Sequence, residues 1–268
     1  MIQVRNISKS YDGVIALAPL SVDFHAGEFT VLLGPSGAGK STLLRCLNVL
    51  NAPSSGKVRS EELGELTSRQ VIRHHRLRTG MIFQQHQLIG RYSALDNVLT
   101  GRIGYHGALR SLLPLPRSDK LLAMTCLEQV GLIDKALERV DRLSGGEQQR
   151  VGIARALAQQ PKLILADEPV ASLDPATARH VLSLLWRIAK TEKITAIVSL
   201  HQVEFAREFA DRVIGLSRGH AVFDGTAEQL TADALERIYA RSKEPLRKTP
   251  IEIESLSASL TQPTPLHQ

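Results

Sequence analysis

The nine residues "GPSGAGKST", Gly34 to Thr42, restrict this chain more than any other stretch. They fit the pattern G-x-x-x-x-G-K-[ST], which average residue frequencies place in only about 1% of chains of this length. The flanking residues narrow the reading further. "FTVLL", Phe29 to Leu33, is a nearly continuous apolar run that reads as a strand buried on both faces. The leucine-rich stretch from Ser41 to about Leu50 reads as a helix stopped by "NAPSSG". A strand, a glycine loop and a helix in that order make a phosphate cradle. The glycines let consecutive N–H groups face phosphate oxygens, and the helix N-terminus adds partial positive charge. Lys40 is placed to reach β- and γ-phosphates, and Ser41 to offer its hydroxyl to Mg2+.

A Mg2+ site built on such a loop needs a second half at the end of another buried strand, and "LILADEP" supplies it. Four apolar residues lead to Asp167, which can hold Mg2+ through water, and to Glu168, which can orient or deprotonate an attacking water. The remaining strand signals are short. Ile2–Ile7 and Leu20–Phe24 alternate apolar and polar residues, as in a half-exposed antiparallel sheet, and "MIF", "ITAIVS" and "RVIGL" follow. Between Gln84 and Gln159 the pattern is helical and polar. Strands alternating with helices predict an open, mostly parallel α/β sheet, and the helical block reads as an insertion into it.

Composition excludes some functions. Aromatic residues make up 4% of the chain, too few for the stacking platforms of single-strand nucleic-acid binders, so no nucleic-acid partner is expected. The net charge of +6 is compatible with an acidic membrane surface or an anionic nucleotide and selects neither. Cys46 and Cys126 form no CxxC pair, and Cys46 among Leu43, Leu44, Leu47 and Leu50 reads as a small buried apolar side chain. No apolar window approaches the length of a membrane span, and "MIQVRNISKSYDG" alternates instead of forming an apolar leader. A membrane role is therefore expected to come through partners. From Pro245 onward, four prolines and no periodicity predict a disordered tail.

"LSGGEQQR", Leu143 to Arg150, looks like half of a second anion cradle without a lysine. Its place in the chain carries a resemblance. The phosphate loop, Gln84 in "MIFQQ", "LSGGEQQR", "LILADEP", "SLD" (Ser172 to Asp174) and His201 occur in the order and approximate spacing of ABC transporter ATP-binding subunits, over about residues 1–240. The resemblance implies a P-loop NTPase with a RecA-like, mostly parallel core, an N-terminal antiparallel β subdomain and an inserted helical subdomain. The expected division is 1–86 for the β subdomain and first part of the core, 87–159 for the helical subdomain with the signature, and 160–225 for the rest of the core. A C-terminal helix over 226–244 and the tail over 245–268 complete it.

The resemblance also explains the second glycine motif. Two copies would face head to tail, with the signature of one covering ATP held by the phosphate loop of the other. ATP would lie against Gly34, Pro35, Ser36, Gly37, Ala38, Gly39, Lys40, Ser41 and Thr42 of one copy and Ser144, Gly145, Gly146 and Glu147 of its partner. Tyr11 would stack on adenine. Gln84 would contact Mg2+ or the attacking water beside Ser41 and Asp167, His201 would hold the γ-phosphate, and Asp174 would cross the interface. Lys40, Gln84, Glu168 and His201 are the implied catalytic set. Glu147 departs from the more frequent glutamine, and the serine and glycines are intact.

"FQQHQLIGRYSALDNVLTGRIG" and "SLHQVEFAREFADRVIGLSRGHAVFDG" resemble the phosphonate-importer branch, although the stretch after "SSGKVR" is shorter than usual there. That implies a peripheral subunit on the cytoplasmic face of the inner membrane. Its expected partners are separate permease subunits, docking against Gln87 to Arg110, and indirectly an external solute-binding protein. An importer of phosphite or phosphate is the near alternative. The distant one is a P-loop kinase, which would act as a monomer on a small-molecule acceptor.

Overall fold

A computed structural model describes residues 1–85, 87–107 and 114–239, and among them ten strands form two sheets. The first is antiparallel and pairs β1 (Ile2–Tyr11), β2 (Val14–Phe24), β4 (Ser55–Ser60) and β5 (Gly64–Glu65) in the order β2-β1-β4-β5. Alternation sets its faces: Ile2, Val4, Ile7, Leu20, Val22 and Phe24 are buried, while Arg5 and Asp23 pair on the outer side.

The second sheet is the core. It contains β3 (Phe29–Leu33), β6 (Thr79–Ile82), β7 (Leu163–Asp167), β8 (Thr195–Leu200), β9 (Arg212–Ser217) and β10 (His220–Gly225), ordered β10-β9-β3-β8-β7-β6. All neighbours run parallel except the β10–β9 pair, so the expectation of a mostly parallel α/β sheet holds. Both faces of the five parallel strands are covered, which is why these read as nearly continuous apolar runs. Leu32, Leu165 and Ile197 face one layer together with α1 (Lys40–Leu47) and the antiparallel sheet. Phe29, Val31, Ile164, Ala166 and Val198 face the other, with helices drawn from 94–157, 175–209 and 232–239. Cys46 is fully buried in the first layer, and burial pushes its thiol up to about 11.

The helical block carries α3 (Ala94–Leu99), α4 (Arg117–Gln129) and α5 (Gly145–Leu157), and α6 (Pro175–Thr191) and α7 (Val203–Phe209) follow in the core. A buried ion network braces the block: Asp119 meets Arg102 Nε at 3.1 Å and His106 Nε2 at 2.6 Å, and Arg102 donates to the Ala158 carbonyl at 3.0 Å.

Four elements have no counterpart in the sequence reading, the two-residue β5 among them. β4 buries only Val58 and Ser60, and α2 (Arg69–Leu77) buries only His75. β4 has no apolar period to read, and the apolar face of α2, Val71 and Ile72 beside His75, spans little more than one turn. α2 is held by tertiary contacts: His75 Nε2 lies 3.0 Å from the Leu47 carbonyl and Arg76 Nε donates to that of Asn48. The half-exposed edge strand β10 was equally silent. One expectation is corrected. The single helix over 226–244 is instead a 3-10 turn, Ala227–Gln229, followed by α8 (Ala232–Tyr239), whose start is capped by the Thr231 hydroxyl accepting from Ala234 N–H. Residues 240–244 and the tail over 245–268 lie outside the described residues.

Candidate functional site

The site begins with register. β7, β8 and β3 are parallel neighbours, with Asp167 opposite Ser199 and Leu33 opposite Leu200. The loops leaving their carboxyl ends therefore open onto one crevice.

The glycine loop leaves β3 under tight contacts. A Cβ on Gly34 would lie 2.2 Å from the Leu216 carbonyl oxygen, inside the neighbouring β9. Gly39, at φ +102° just before α1, would place a Cβ 2.7 Å from the Ala16 carbonyl oxygen. Only glycine fits either place. Pro35, Ser36, Gly37 and Ala38 form the turn between them, with Ala38 N–H bonded to the Pro35 carbonyl at 3.2 Å. Thr42 follows in the first turn of α1.

Lys40 is buried, and its ammonium donates to the carbonyls of Gly34 at 2.8 Å and Pro35 at 3.0 Å. Glu168 Oε1 lies 3.7 Å away. Burial lowers the Lys40 pKa from its ordinary value, opposed by the nearby charges of Glu168 and Asp167. The Ser41 hydroxyl donates to Asp167 Oδ1 at 2.7 Å, tying the glycine loop to the end of β7. Glu168 bends away at φ +48°, and its Oε1 meets His201 Nε2 at 2.5 Å. His201 Nδ1 lies 3.2 Å from the Gly34 carbonyl oxygen and 3.4 Å from Lys40 Nζ. Lys40, Ser41, Asp167, Glu168 and His201 thus form one cluster.

A second cluster forms where the first turns of α5 and α6 pack together. A Cβ on Gly146 would come within 2.6 Å of Thr177 Cγ2, and one on Gly145 within 3.5 Å of Leu173. Ser144 caps α5 and Asp174 caps α6, the latter accepting from Ala176 and Thr177 N–H at 3.1 and 3.0 Å. Glu147 closes a capping box: its Oε2 accepts from Ser144 N–H at 2.9 Å and Oγ–H at 2.8 Å, and Lys135 Nζ donates to Oε1 at 2.6 Å. The Lys135 bond, followed by those from Ser144, holds the Glu147 carboxyl well below the usual range, at about 2.

Gln84 lies between the clusters. Ile82 pairs with Ala166, so Gln84 leaves β6 beside the end of β7. It lines a cleft of about 610 Å³ with Gln87, Leu88, Asp141, Gln148 and Ser172, against the start of α5. Tyr11 ends β1, half exposed, with Asn51 Nδ2 donating to its hydroxyl at 2.6 Å and Lys9 Nζ 5.2 Å from the ring centre. Ala16, which contacts Gly39, stands in the paired strand close by. A separate cavity of about 320 Å³, lined by Thr79, Leu163 and Thr195, opens at the opposite, amino-terminal ends of the core strands.

Sequence reasoning missed Ser199. Fully buried, it donates to Asp167 Oδ1 at 3.1 Å and accepts from Glu168 N–H at 2.8 Å. The signal was available, since it is the polar residue near the end of an otherwise apolar strand. Lys135 was missed too, because only the fold brings it to Glu147.

Among the described residues, no group of three or more His, Cys, Asp or Glu could hold a metal alone. A hydroxyl and one carboxylate, Ser41 and Asp167, fit Mg2+, which takes few protein ligands and completes its shell with phosphates and water. No described helix is long and apolar enough to cross a membrane.

Residues 17–171 match the model of a family described as ABC transporter. A phosphite import ATP-binding protein of Stutzerimonas stutzeri is 64% identical over 241 residues, covering 90% of this chain and 87% of that protein. A phosphonates import ATP-binding protein of a Nostoc species is 57% identical over 244 residues, covering 91% and 93%. Among solved structures, a dimeric ATP-binding cassette in a post-hydrolysis state with ADP and phosphate aligns with a TM-score of 0.74 at 32% identity, covering 85% of this chain and 99% of that one. A protein of Clostridium perfringens described as part of an ABC transporter complex aligns with a TM-score of 0.76 at 28% identity, covering 87% and 91%.

Proposed function

The chain belongs to the ABC transporter family as its ATP-hydrolysing subunit, and from that premise we propose that it drives uptake of phosphonates or phosphite through separate membrane subunits. The solute class rests on the relatives of 64% and 57% identity, named for phosphite and phosphonate import. Those anions share a PO3 group with one non-oxygen substituent. The chain itself would handle ATP, and the permease and an external binding protein the solute.

One observation carries the mechanism: Lys40, Ser41–Asp167 and Glu168–His201 meet at the carboxyl end of one sheet, while the Ser144 helix end stands in a second cluster of the same chain. We read the first cluster as the holder of ATP and the second as a lid for the ATP of a partner copy. The loop N–H groups of Gly34–Thr42 cradle the phosphates and Lys40 turns from its carbonyl partners to the β- and γ-oxygens. Ser41 and Asp167 would hold Mg2+, which would neutralise charge on the phosphate oxygens. Glu168 accepts the proton of the attacking water, and His201 donates a hydrogen bond to the γ-phosphate. Ser144, Gly145 and Gly146 of the partner add a hydroxyl and helix-end N–H groups to the same phosphate, and Asp174 lies against the facing copy. Tyr11 stacks on adenine.

Gln84, in the cleft against α5, links nucleotide state to the helical block. Its outer stretch from Gln87 is our candidate permease surface, and Ala108–Arg110 of that stretch lie outside the described residues. Membrane association at the cytoplasmic face would follow from that docking. We take the domain division at 1–86, 87–159 and 160–225 as the mechanical units of the cycle.

The test is complementation. Ser144→Arg and Glu168→Gln each remove one half of a shared site. Mixed one to one, random pairing makes about half of the dimers mixed, each with one of its two sites intact, so about a quarter of the wild-type ATPase rate returns. Absence of any recovery in a mixture shown to exchange subunits rejects the shared site and favours a single-site phosphotransferase.

A further inference from the structure

The fifth residue of "LSGGE" raises a question of charge. Glu147 sits at the third position of α5, and its carboxylate occupies both the N–H and the hydroxyl of Ser144. Under the shared-site reading, those donors belong to the helix end that meets the partner's γ-phosphate. A carboxylate there competes for the donors and places negative charge near an incoming anion. A glutamine would accept from the same donors without adding charge.

Among the described residues, one cation meets this charge directly. Lys135 ends a short 3-10 turn, Ile133–Lys135, between α4 and α5, and donates to Glu147 Oε1 at 2.6 Å. The other charges close to Lys135, Glu138 and Arg150, are of opposite sign and offset one another. The two Glu147 oxygens are thereby divided: Oε1 is held by the lysine, and Oε2 serves Ser144. The hydroxyl of Ser144 can then rotate its proton from Oε2 to a phosphate oxygen, while the Ser144 N–H keeps Oε2 in the capping box.

We propose that Lys135 is a positioning residue of the shared ATP site: pairing with Glu147 cancels the carboxylate's charge and holds it along α5, so that the Ser144–Gly146 helix end receives an anion as a neutral signature would. The proposal rests on the shared-site reading above.

The assay uses the full chain carrying Glu168→Gln, so that ATP drives dimerisation without turnover, and reads the ATP concentration at half-maximal dimer by light scattering. Lys135→Met should raise that concentration about tenfold at low salt and only about twofold at 0.5 M NaCl, because Lys135 is itself exposed and its removal opens the Glu147 carboxylate to salt. Lys135→Arg should recover most of the loss. In a Glu147→Gln background, Lys135→Met should have no effect. A defect that persists in that background, or that ignores salt, means that Lys135 merely supports the local fold and overturns the proposal. If Lys135→Met unfolds alone, Glu147→Gln is compared with the Glu147→Gln/Lys135→Met double variant: equal ATP dependence supports the charge role, and a weaker double overturns it. A parent that never dimerises with ATP removes the shared-site premise itself, which is distinct from a dimer that forms and is indifferent to Lys135.

Discussion

Ser199→Ala removes a single oxygen that serves Asp167 and Glu168 at once. In the folded chain that oxygen donates to Asp167 Oδ1 at 3.1 Å and accepts from Glu168 N–H at 2.8 Å, with no exposure to solvent. Alanine is smaller, so nothing clashes. The bond to the carboxylate contributes about 1.5–3 kcal/mol, and leaving the Glu168 N–H without its acceptor costs about 1–3 kcal/mol. Since water and neighbouring groups recover part of this, the expected loss of stability is about 3 kcal/mol. The kinetic effect has a separate origin. Glu168 holds a left-handed φ of +48°, which costs about 1–2 kcal/mol for a residue with a side chain, and its N–H bond to Ser199 helps to keep it there. Released, the carboxylate drifts from His201, so kcat should fall about 10- to 100-fold. Lys40 and the glycine loop are untouched, so KM for ATP should stay within about twofold. Urea unfolding followed by the fluorescence of the chain's one tryptophan, Trp186, and steady-state ATPase kinetics measure the two effects. A stability loss under about 1 kcal/mol with kcat unchanged would refute the account of Ser199 as the joint support of Asp167 and Glu168.

Two further outcomes follow from the same geometry. Gly34→Ala places a methyl 2.2 Å from a backbone oxygen of β9 that no rotamer can move; stability should fall by about 3 kcal/mol, and calorimetric titration should detect no ATP binding. Glu147 titrates at about 2 in the folded chain against an ordinary 4.5, so between those values the folded state binds fewer protons than the unfolded one. Its stabilisation is complete above about pH 4.5 and disappears as pH falls toward 2. Melting curves of wild type and Glu147→Gln should therefore converge as acid is added, and a gap that is constant from pH 7 to pH 3 would contradict the Lys135 and Ser144 bonds to the carboxylate.

The core sheet was legible because its chemistry is local. Strands such as Phe29–Leu33 and Thr195–Leu200 lie between two covered faces and are apolar along most of their length, so a linear pattern records them. The glycine loop was legible for a similar reason, since positive φ and close backbone approach admit no other residue at Gly34 and Gly39. β4, α2 and β10 were not legible, because each is held by partners distant in sequence and carries little apolar period of its own.

The residue types needed to hold a triphosphate, and their order along the chain, were therefore determined by the sequence alone. Only the tertiary structure decided which of them touch. Parallel register brings Asp167 and Glu168, at the end of β7, beside Ser199 and His201, at the end of β8, and beside Lys40 after β3, and the folded helical block brings Lys135 to Glu147. The physical reason is that a buried hydrogen bond or ion pair depends on distances of about 3 Å, and separation along the chain carries no information about that distance until the sheet has fixed its register.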